Sequence, residues 1–121
     1  LFVRQYRYAY GESVYELPAG KLDANEPPMS AAKRELEEEA GIVADDFSLL
    51  FTVYPTPGYT NEKIYIYEAR SGKRAKAHLD EGEFLDVLWI PLERVKEMLV
   101  SGEIKDAKTI VAIQAYLLKN K

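Results

Sequence analysis

Three glutamates in one short segment have the spacing of a metal-binding surface. Glu35, Glu38 and Glu39 stand at positions i, i+3 and i+4, so on a helix they share one face. Like charges placed in this way destabilise a helix by about 0.2–0.5 kcal/mol per pair. A divalent cation would reverse that repulsion, and an acidic cluster with only oxygen donors suits hard ions such as Mg²⁺ or Mn²⁺.

The alternative interpretation is a solvated acidic face held by ion pairs within one helix. Arg34 and Glu38 have the i, i+4 spacing of such a pair, and so do Lys33 and Glu37. For an isolated acidic run we would prefer this alternative. The residues around the three glutamates are therefore needed to distinguish a metal site from a solvated acidic face.

A short amphipathic helix is predicted to carry these glutamates. Pro27 and Pro28 suit the first turn of a helix, where backbone N–H groups have no helical partner. Gly41 stands where a helix end is expected. An apolar stripe recurs at helical spacing and consists of Met29, Ala32, Leu36 and Ala40.

The segment from Gly20 to Ile42 resembles the Nudix box. That pattern is Gly, five residues, Glu, seven residues, then Arg-Glu-aliphatic-x-Glu-Glu-x-Gly-aliphatic. The fixed positions all match, at Gly20, Glu26, Arg34, Glu35, Glu38, Glu39 and Gly41, and the aliphatic positions match at Leu36 and Ile42. A pattern of this length with fixed gaps is a specific signal.

Segments outside the box resemble the ADP-ribose pyrophosphatase branch of that family. Residues 4–7 read RQYR, residues 16–20 read ELPAG, and residues 102–109 fit G-x-I-x-D-x-K-T. Pro57 lies about fifteen residues beyond the box, where that branch carries its distinguishing proline, although the residues 55–58 alone would be an ordinary surface turn. The resemblance covers nearly the whole chain.

The resemblance implies a role for each residue of the box. Glu35, Glu38 and Glu39 are the expected metal ligands, and a backbone carbonyl from the Gly20 loop, that of Ala19, is expected to join them. Other box residues are expected to support this site: Glu26 and Arg34 by fixing the loop and orienting a ligand, and Gly20 and Gly41 by their backbone conformations. Arg34 and Glu38 are also counted among the catalytic groups.

The remaining candidate site residues lie outside the box. A general base is expected on a loop, with Glu81 as the first choice and Glu83 as the second, although an acidic loop before a strand is common without catalysis. The expected substrate contacts are Arg7 first and Arg4 second, for a phosphate, and then Glu62, Pro57 and Gly58.

The pattern of elements indicates an α/β protein. Strands are predicted at 1–10, 14–17, 47–54, 64–67 and 84–90, loops at 43–46 and 71–83, and helices after Pro28, at 92–101 and after Asp106. The family resemblance makes this a Nudix-type α/β/α sandwich around a mixed β-sheet.

Composition limits the classes of function. The chain has 121 residues, and we expect one domain, 1–121, with a segment missing upstream because Leu1 falls inside a predicted strand. A net charge of −4 gives no basic excess for binding nucleic acid. The absence of cysteine excludes disulfides, thiolate zinc sites and cysteine nucleophiles. No apolar run is long enough for a membrane span, so we expect a cytoplasmic protein.

The function implied by the resemblance is Mg²⁺-dependent hydrolysis of ADP-ribose to AMP and ribose 5-phosphate by a homodimer, with Mn²⁺ as an alternative ion. The partner is then a small nucleotide sugar. Two alternatives remain: a Nudix hydrolase of another nucleoside diphosphate sugar, and a non-catalytic Nudix domain that senses nucleotides. The complete set of box glutamates favours an enzyme.

Overall fold

The described part of the chain alternates strands and helices. The computed structural model describes residues 1–74 and 84–121. In chain order its elements are β1 (Phe2–Arg7), β2 (Glu12–Glu16), α1 (Pro28–Ala40), β3 (Ile42–Val53), β4 (Ile64–Arg74), β5 (Leu85–Leu88), α2 (Leu92–Ser101) and α3 (Ala107–Lys119). This composition confirms the predicted α/β class.

The strands form two antiparallel sheets. β1 lies between β2 and β5 in one sheet, and β3 pairs with β4 in the other. The family resemblance implied a mixed sheet, but every strand pair within residues 1–74 and 84–121 is antiparallel.

Two segments that were predicted as loops begin or end strands instead. Residues 43–46 belong to β3 and residues 71–74 belong to β4, where Val43 pairs with Lys73 and Asp46 pairs with Arg70. These strand ends were not predicted because their polar residues have weak β-propensity. Pairing with a distant strand outweighs that local preference. The rest of the predicted loop, 75–83, lies outside the described residues.

An apolar core lies among β1, α2 and α3. Its buried side chains are Phe2, Val95, Met98, Ile104 and Ile113, and Tyr15 and Leu17 pack against them. Asp106 caps α3 as predicted, since its carboxylate accepts a hydrogen bond from the N–H of Thr109. The core therefore holds the end of β2 close to the first turn of α3.

Helix α1 contacts the β3–β4 sheet. It begins after Pro27 and ends at Gly41, whose φ of 66° is left-handed, so both predicted boundaries are confirmed. The buried residues of the helix are Ala31 and Glu39, whereas Met29 of the predicted apolar stripe is exposed. None of the helices in the described ranges has the length and hydrophobicity needed to span a membrane.

Candidate functional site

The loop after β2 lies directly against the glutamate face of α1. The N–H of Ala19 donates a hydrogen bond to Oε2 of the buried Glu39 over 3.2 Å. A Cβ placed on Gly20 would overlap the carboxylate of Glu35. A larger residue at position 20 would therefore have to displace this carboxylate, which is the far end of a flexible side chain. These contacts bring residues 17–20 to the predicted metal ligands.

Arg34 joins the loop to the helix through several charge-assisted hydrogen bonds. Its guanidinium donates to both carboxylate oxygens of Glu26, each over 2.9 Å. It also donates to Oε1 of Glu35 over 2.8 Å and to Oε2 of Glu38 over 2.9 Å. A further bond of 3.2 Å reaches the carbonyl of Lys21. One arginine thus offsets the repulsion among the box carboxylates and holds the loop.

The ion pairs of the alternative interpretation are only partly found. Arg34 and Glu38 form the i, i+4 pair at 2.9 Å. Lys33 instead places its ammonium 5.5 Å from the centroid of the Phe47 ring. Because Arg34 also reaches Glu26 and Glu35, its contacts extend well beyond one solvated helix face.

The arginine has a strong effect on the ionisation of Glu26. Hydrogen bonds from Arg34, and then one of 3.0 Å from the N–H of Asp23, lower the pKa of Glu26 from 4.5 to about 2. Hydrogen bonds to the carboxylates raise the pKa of Arg34 in turn. Both groups therefore remain charged across the neutral pH range.

The box glutamates fit a hard divalent cation by their donor type. All three supply carboxylate oxygens from one helix, and the backbone of Gly20 lies close to the carboxylate of Glu35. Within residues 1–74 and 84–121, no three acidic or histidine side chains already converge as metal ligands would. Glu35 and Glu38 both accept hydrogen bonds from Nη1 of Arg34, whereas Glu39 accepts one from the N–H of Ala19.

A second charged network lies beside the loop, on β1, β2 and α3. Arg7 donates two hydrogen bonds of 2.8 Å to the carboxylate of Glu16, and the ammonium of Lys108 lies 3.2 Å from the same carboxylate. The side chain of Glu16 is only 6% exposed, against 46% for Arg7. Burial alone would raise the pKa of Glu16, but the hydrogen bond from Arg7 and the charges of Lys108 and Arg7 lower it on balance.

The hydroxyl of Thr109 links this network to the loop. Thr109 is completely buried, its hydroxyl lies 2.6 Å from Oδ2 of Asp106, and the N–H of Leu17 donates to it over 3.1 Å. Sequence reasoning assigned no role to Glu16, Lys108 or Thr109. The sequence feature that could have identified these three residues is their place in the ELPAG and G-x-I-x-D-x-K-T segments. Both segments carry polar residues next to apolar ones.

A cleft of about 1320 Å³ opens beside the loop and runs between the two sheets. Its polar lining residues include Gln5, Arg7, Lys21, Glu62, Lys63 and Lys108. The lining also includes Ala19, Gly20, Glu35 and Glu39, so two of the predicted metal ligands face the same space as the second charged network. Glu38 is not among the described lining residues. A volume of this order accommodates a nucleotide-sized ligand.

The predicted substrate contacts separate into two groups. Arg7 and Glu62 line the cleft. Arg4 lies three residues from Arg7 on the same strand, so it projects to the opposite face, where it pairs with Asp86 over 2.9 Å. Pro57 and Gly58 are exposed in a turn closed by a 3.3 Å bond from the N–H of Tyr59 to the carbonyl of Thr56, and they are not among the described lining residues.

The two candidates for the general base, Glu81 and Glu83, lie outside the described residues. Their assignment stays a prediction.

Comparison with known proteins identifies similar chains. A family model described as "NUDIX domain" matches residues 1–112. An ADP-ribose pyrophosphatase of Bacillus subtilis (strain 168) is 38% identical over 121 residues, covering 98% of this chain and 65% of the relative. A methanol dehydrogenase activator of Bacillus methanolicus is 38% identical over 116 residues, covering 94% of this chain and 63% of the relative. The chain therefore spans slightly less than two thirds of the length of these relatives.

A solved structure supports the same relationship. The crystal structure of an ADP compounds hydrolase superposes with a TM-score of 0.88 at 26% sequence identity. The match covers 97% of this chain and 63% of that chain.

Proposed function

This chain belongs to the Nudix family, and from that premise we propose that it hydrolyses the pyrophosphate bond of ADP-ribose to give AMP and ribose 5-phosphate. The observation that carries the proposal is that the loop after β2 meets the glutamate face of α1 at the wall of the cleft. Gly20 and Ala19 contact Glu35 and Glu39, and Arg34 joins the loop and the helix. The name of the B. subtilis relative supports ADP-ribose as the substrate.

Pyrophosphate hydrolysis requires that growing negative charge be stabilised while a water attacks phosphorus. A divalent cation bound to Glu35, Glu38 and Glu39 would supply that stabilisation and lower the pKa of the attacking water. We propose Mg²⁺ as the physiological ion, with Mn²⁺ as a substitute. Because Arg34 contacts two of these glutamates, cation binding would compete with its hydrogen bonds.

Other residues are proposed to hold the substrate and to accept the proton. In the Arg7–Glu16 pair, the guanidinium uses two of its five N–H donors. The remaining N–H donors of Arg7 are proposed to bind a substrate phosphate at the cleft wall. Glu81, or Glu83 in second place, would accept the proton of the attacking water. The backbone carbonyl of Ala19 remains a proposed metal ligand, while the N–H of the same residue bonds to Glu39.

We further propose that residues 1–121 act as one Nudix domain, and that the protein works as a homodimer in the cytoplasm. Light scattering on the purified full-length protein checks the dimer. A monomer at micromolar concentration would contradict it.

Two alternatives differ in what the cleft does. The first is hydrolysis of another nucleoside diphosphate sugar, because the box residues act on the pyrophosphate and not on the nucleoside or sugar. The second is nucleotide binding without turnover. The name of the methanol dehydrogenase activator describes an effect on another enzyme and specifies no substrate, so it favours neither alternative.

Product analysis of the full-length protein with Mg²⁺ tests the proposal. We would compare ADP-ribose with ADP-glucose, GDP-mannose and a nucleoside triphosphate. The expected result is that AMP and ribose 5-phosphate form fastest from ADP-ribose. Faster cleavage of another substrate would be consistent with the proposed metal-dependent hydrolysis but would reject ADP-ribose as the preferred substrate. Nucleotide binding without any product would support the alternative of a non-catalytic, nucleotide-sensing domain.

A pair of variants on one helix tests the role of the carboxylates. Glu38→Gln removes one proposed ligand and is expected to abolish turnover while the fold is retained. Glu37→Gln is the matched control, because Glu37 is exposed on the same helix, and its rate is expected to remain normal. Unchanged activity in Glu38→Gln would reject the assignment of the metal ligands.

A further inference from the structure

We propose that Thr109 is a positioning residue, whose buried hydroxyl holds the N–H of Leu17 and thereby sets the loop of residues 17–20 against Glu35 and Glu39. The inference rests on the proposed function, because the loop and the two glutamates are the proposed catalytic centre. Thr109 lies on α3, 92 residues along the chain from Leu17, and touches neither glutamate in the described contacts.

The hydrogen-bond directions at Thr109 follow from chemistry. A hydroxyl has one proton to donate, and the carboxylate of Asp106, 2.6 Å away, can only accept. The hydroxyl oxygen is then available as the acceptor for the N–H of Leu17 at 3.1 Å. Because Thr109 is 0% exposed, water cannot readily replace this acceptor.

Asp106 orients Thr109 through two hydrogen bonds. Its Oδ2 accepts from both the hydroxyl and the backbone N–H of Thr109, at 2.6 and 3.3 Å. Its Oδ1 accepts from Lys108 over 2.9 Å, and Lys108 also contacts Glu16, the residue before Leu17. The first turn of α3 therefore holds two consecutive residues at the start of the loop.

The short loop can transmit this position to the glutamates. Pro18 has its φ fixed near −65° and restricts Leu17 to extended conformations. Few backbone dihedrals therefore remain free between the N–H of Leu17 and the N–H of Ala19. The latter bonds to Glu39, and Gly20 lies against Glu35. A displacement at Leu17 consequently moves the loop relative to both carboxylates.

The test replaces the hydroxyl and leaves the side-chain shape. Thr109→Val is nearly isosteric but cannot accept from Leu17, whereas Thr109→Ser keeps the hydroxyl and loses only the methyl group. In the full-length protein, Thr109→Val is expected to lower kcat for ADP-ribose by about 10-fold, within the range seen for outer groups that orient metal ligands. Its KM should change less than kcat, and Thr109→Ser should remain within about twofold of the wild type, because serine supplies the same hydrogen bonds.

A binding measurement provides a readout that does not depend on turnover. Mn²⁺ affinity, followed by loss of the free-ion EPR signal, should weaken by about 10-fold in Thr109→Val and be retained in Thr109→Ser. If the wild type binds Mn²⁺ but hydrolyses nothing, the proposed function fails and this measurement still tests the positioning role.

A second control separates positioning from stability. The hydroxyl of Ser101 bonds to the carbonyl of Met98 at the end of α2, so Ser101→Ala should lower the urea midpoint without changing kcat or Mn²⁺ affinity. Normal kcat and Mn²⁺ affinity in folded Thr109→Val would overturn the proposal. Equal loss in Thr109→Ser would assign the effect to the methyl group and overturn it too.

Thr109→Ala replaces Thr109→Val in these experiments if Thr109→Val does not fold, since it removes the same hydroxyl without adding volume. If neither folds while Thr109→Ser does, Thr109 is a structural residue, and the positioning role is rejected.

Discussion

The carboxylate of Glu35 occupies the space into which a Cβ on residue 20 would project. The two residues are fifteen positions apart and belong to different parts of the box, the loop after β2 and the middle of α1. A Cβ at position 20 would therefore force the carboxylate or the loop to move. The contact also makes the loop position and the glutamate conformation mutually dependent.

Gly20→Ala is therefore expected to displace either the loop or the carboxylate of Glu35. We expect kcat/KM for ADP-ribose to fall by about 100-fold, which is the effect of a misplacement of about 1 Å in a catalytic arrangement. Steady-state kinetics measures this fall. A rate within threefold of the wild type would mean that the loop and the carboxylate separate without consequence.

Gly102→Ala is the control for Gly20→Ala. Gly102 ends α2 with a φ of 81°, and a Cβ there would meet nothing within 4 Å. Alanine strains this left-handed conformation and is expected to reduce stability by about 1 kcal/mol. Its kcat/KM at a temperature well below unfolding should stay normal, so a loss confined to Gly20→Ala identifies the contact with Glu35.

The two arginines of β1 are expected to differ in their effect on substrate binding. Arg7 lines the cleft beside Glu16, so Arg7→Lys, which keeps the charge but loses the planar fork, should raise KM by about 10-fold. Arg4 and Asp86 form an exposed pair with side chains 41% and 64% exposed. Such pairs contribute about 0–1 kcal/mol, so Arg4→Lys should leave KM nearly unchanged. An equal rise in both variants would show that Arg4 also reaches the substrate.

Glu26 is expected to make stability depend on pH in the acidic range. Its pKa is lowered from 4.5 to about 2 in the folded protein, chiefly by hydrogen bonds from Arg34. The unfolded state therefore takes up a proton at higher pH than the folded state does. The stabilisation by Glu26 is fully present above about pH 5 and is lost as the pH falls toward 2.

Comparison with Glu26→Gln isolates this contribution, because glutamine does not titrate. The difference between the urea midpoints of the wild type and the variant should be largest above pH 5 and should shrink as pH 2 is approached. A difference that is constant from pH 6 to pH 2.5 would show that Arg34 does not hold Glu26 ionised.

Sequence reasoning succeeded where the determining interactions are local. Pro27 and Gly41 mark the limits of α1 through their own backbone preferences, and Asp106 caps α3 through a residue three positions away. It failed at residues 43–46, where pairing with residues 70–74 makes a strand of a polar segment. It predicted both Arg4 and Arg7 as substrate contacts; strand alternation places them on opposite faces, and the role of Arg4 stays a prediction.

By itself, the sequence determined that a helix carries Glu35, Glu38 and Glu39 on one face behind a glycine loop, because helical periodicity and the spacing of the box are local properties. The groups that meet that face are brought there by the packing of distant parts of the chain. The bonds from Arg7 and Lys108 to Glu16, and from Leu17 to Thr109, join residues 9 and 92 positions apart. Such contacts depend on how β1, β2 and α3 pack around a shared core, and no local pattern encodes that arrangement.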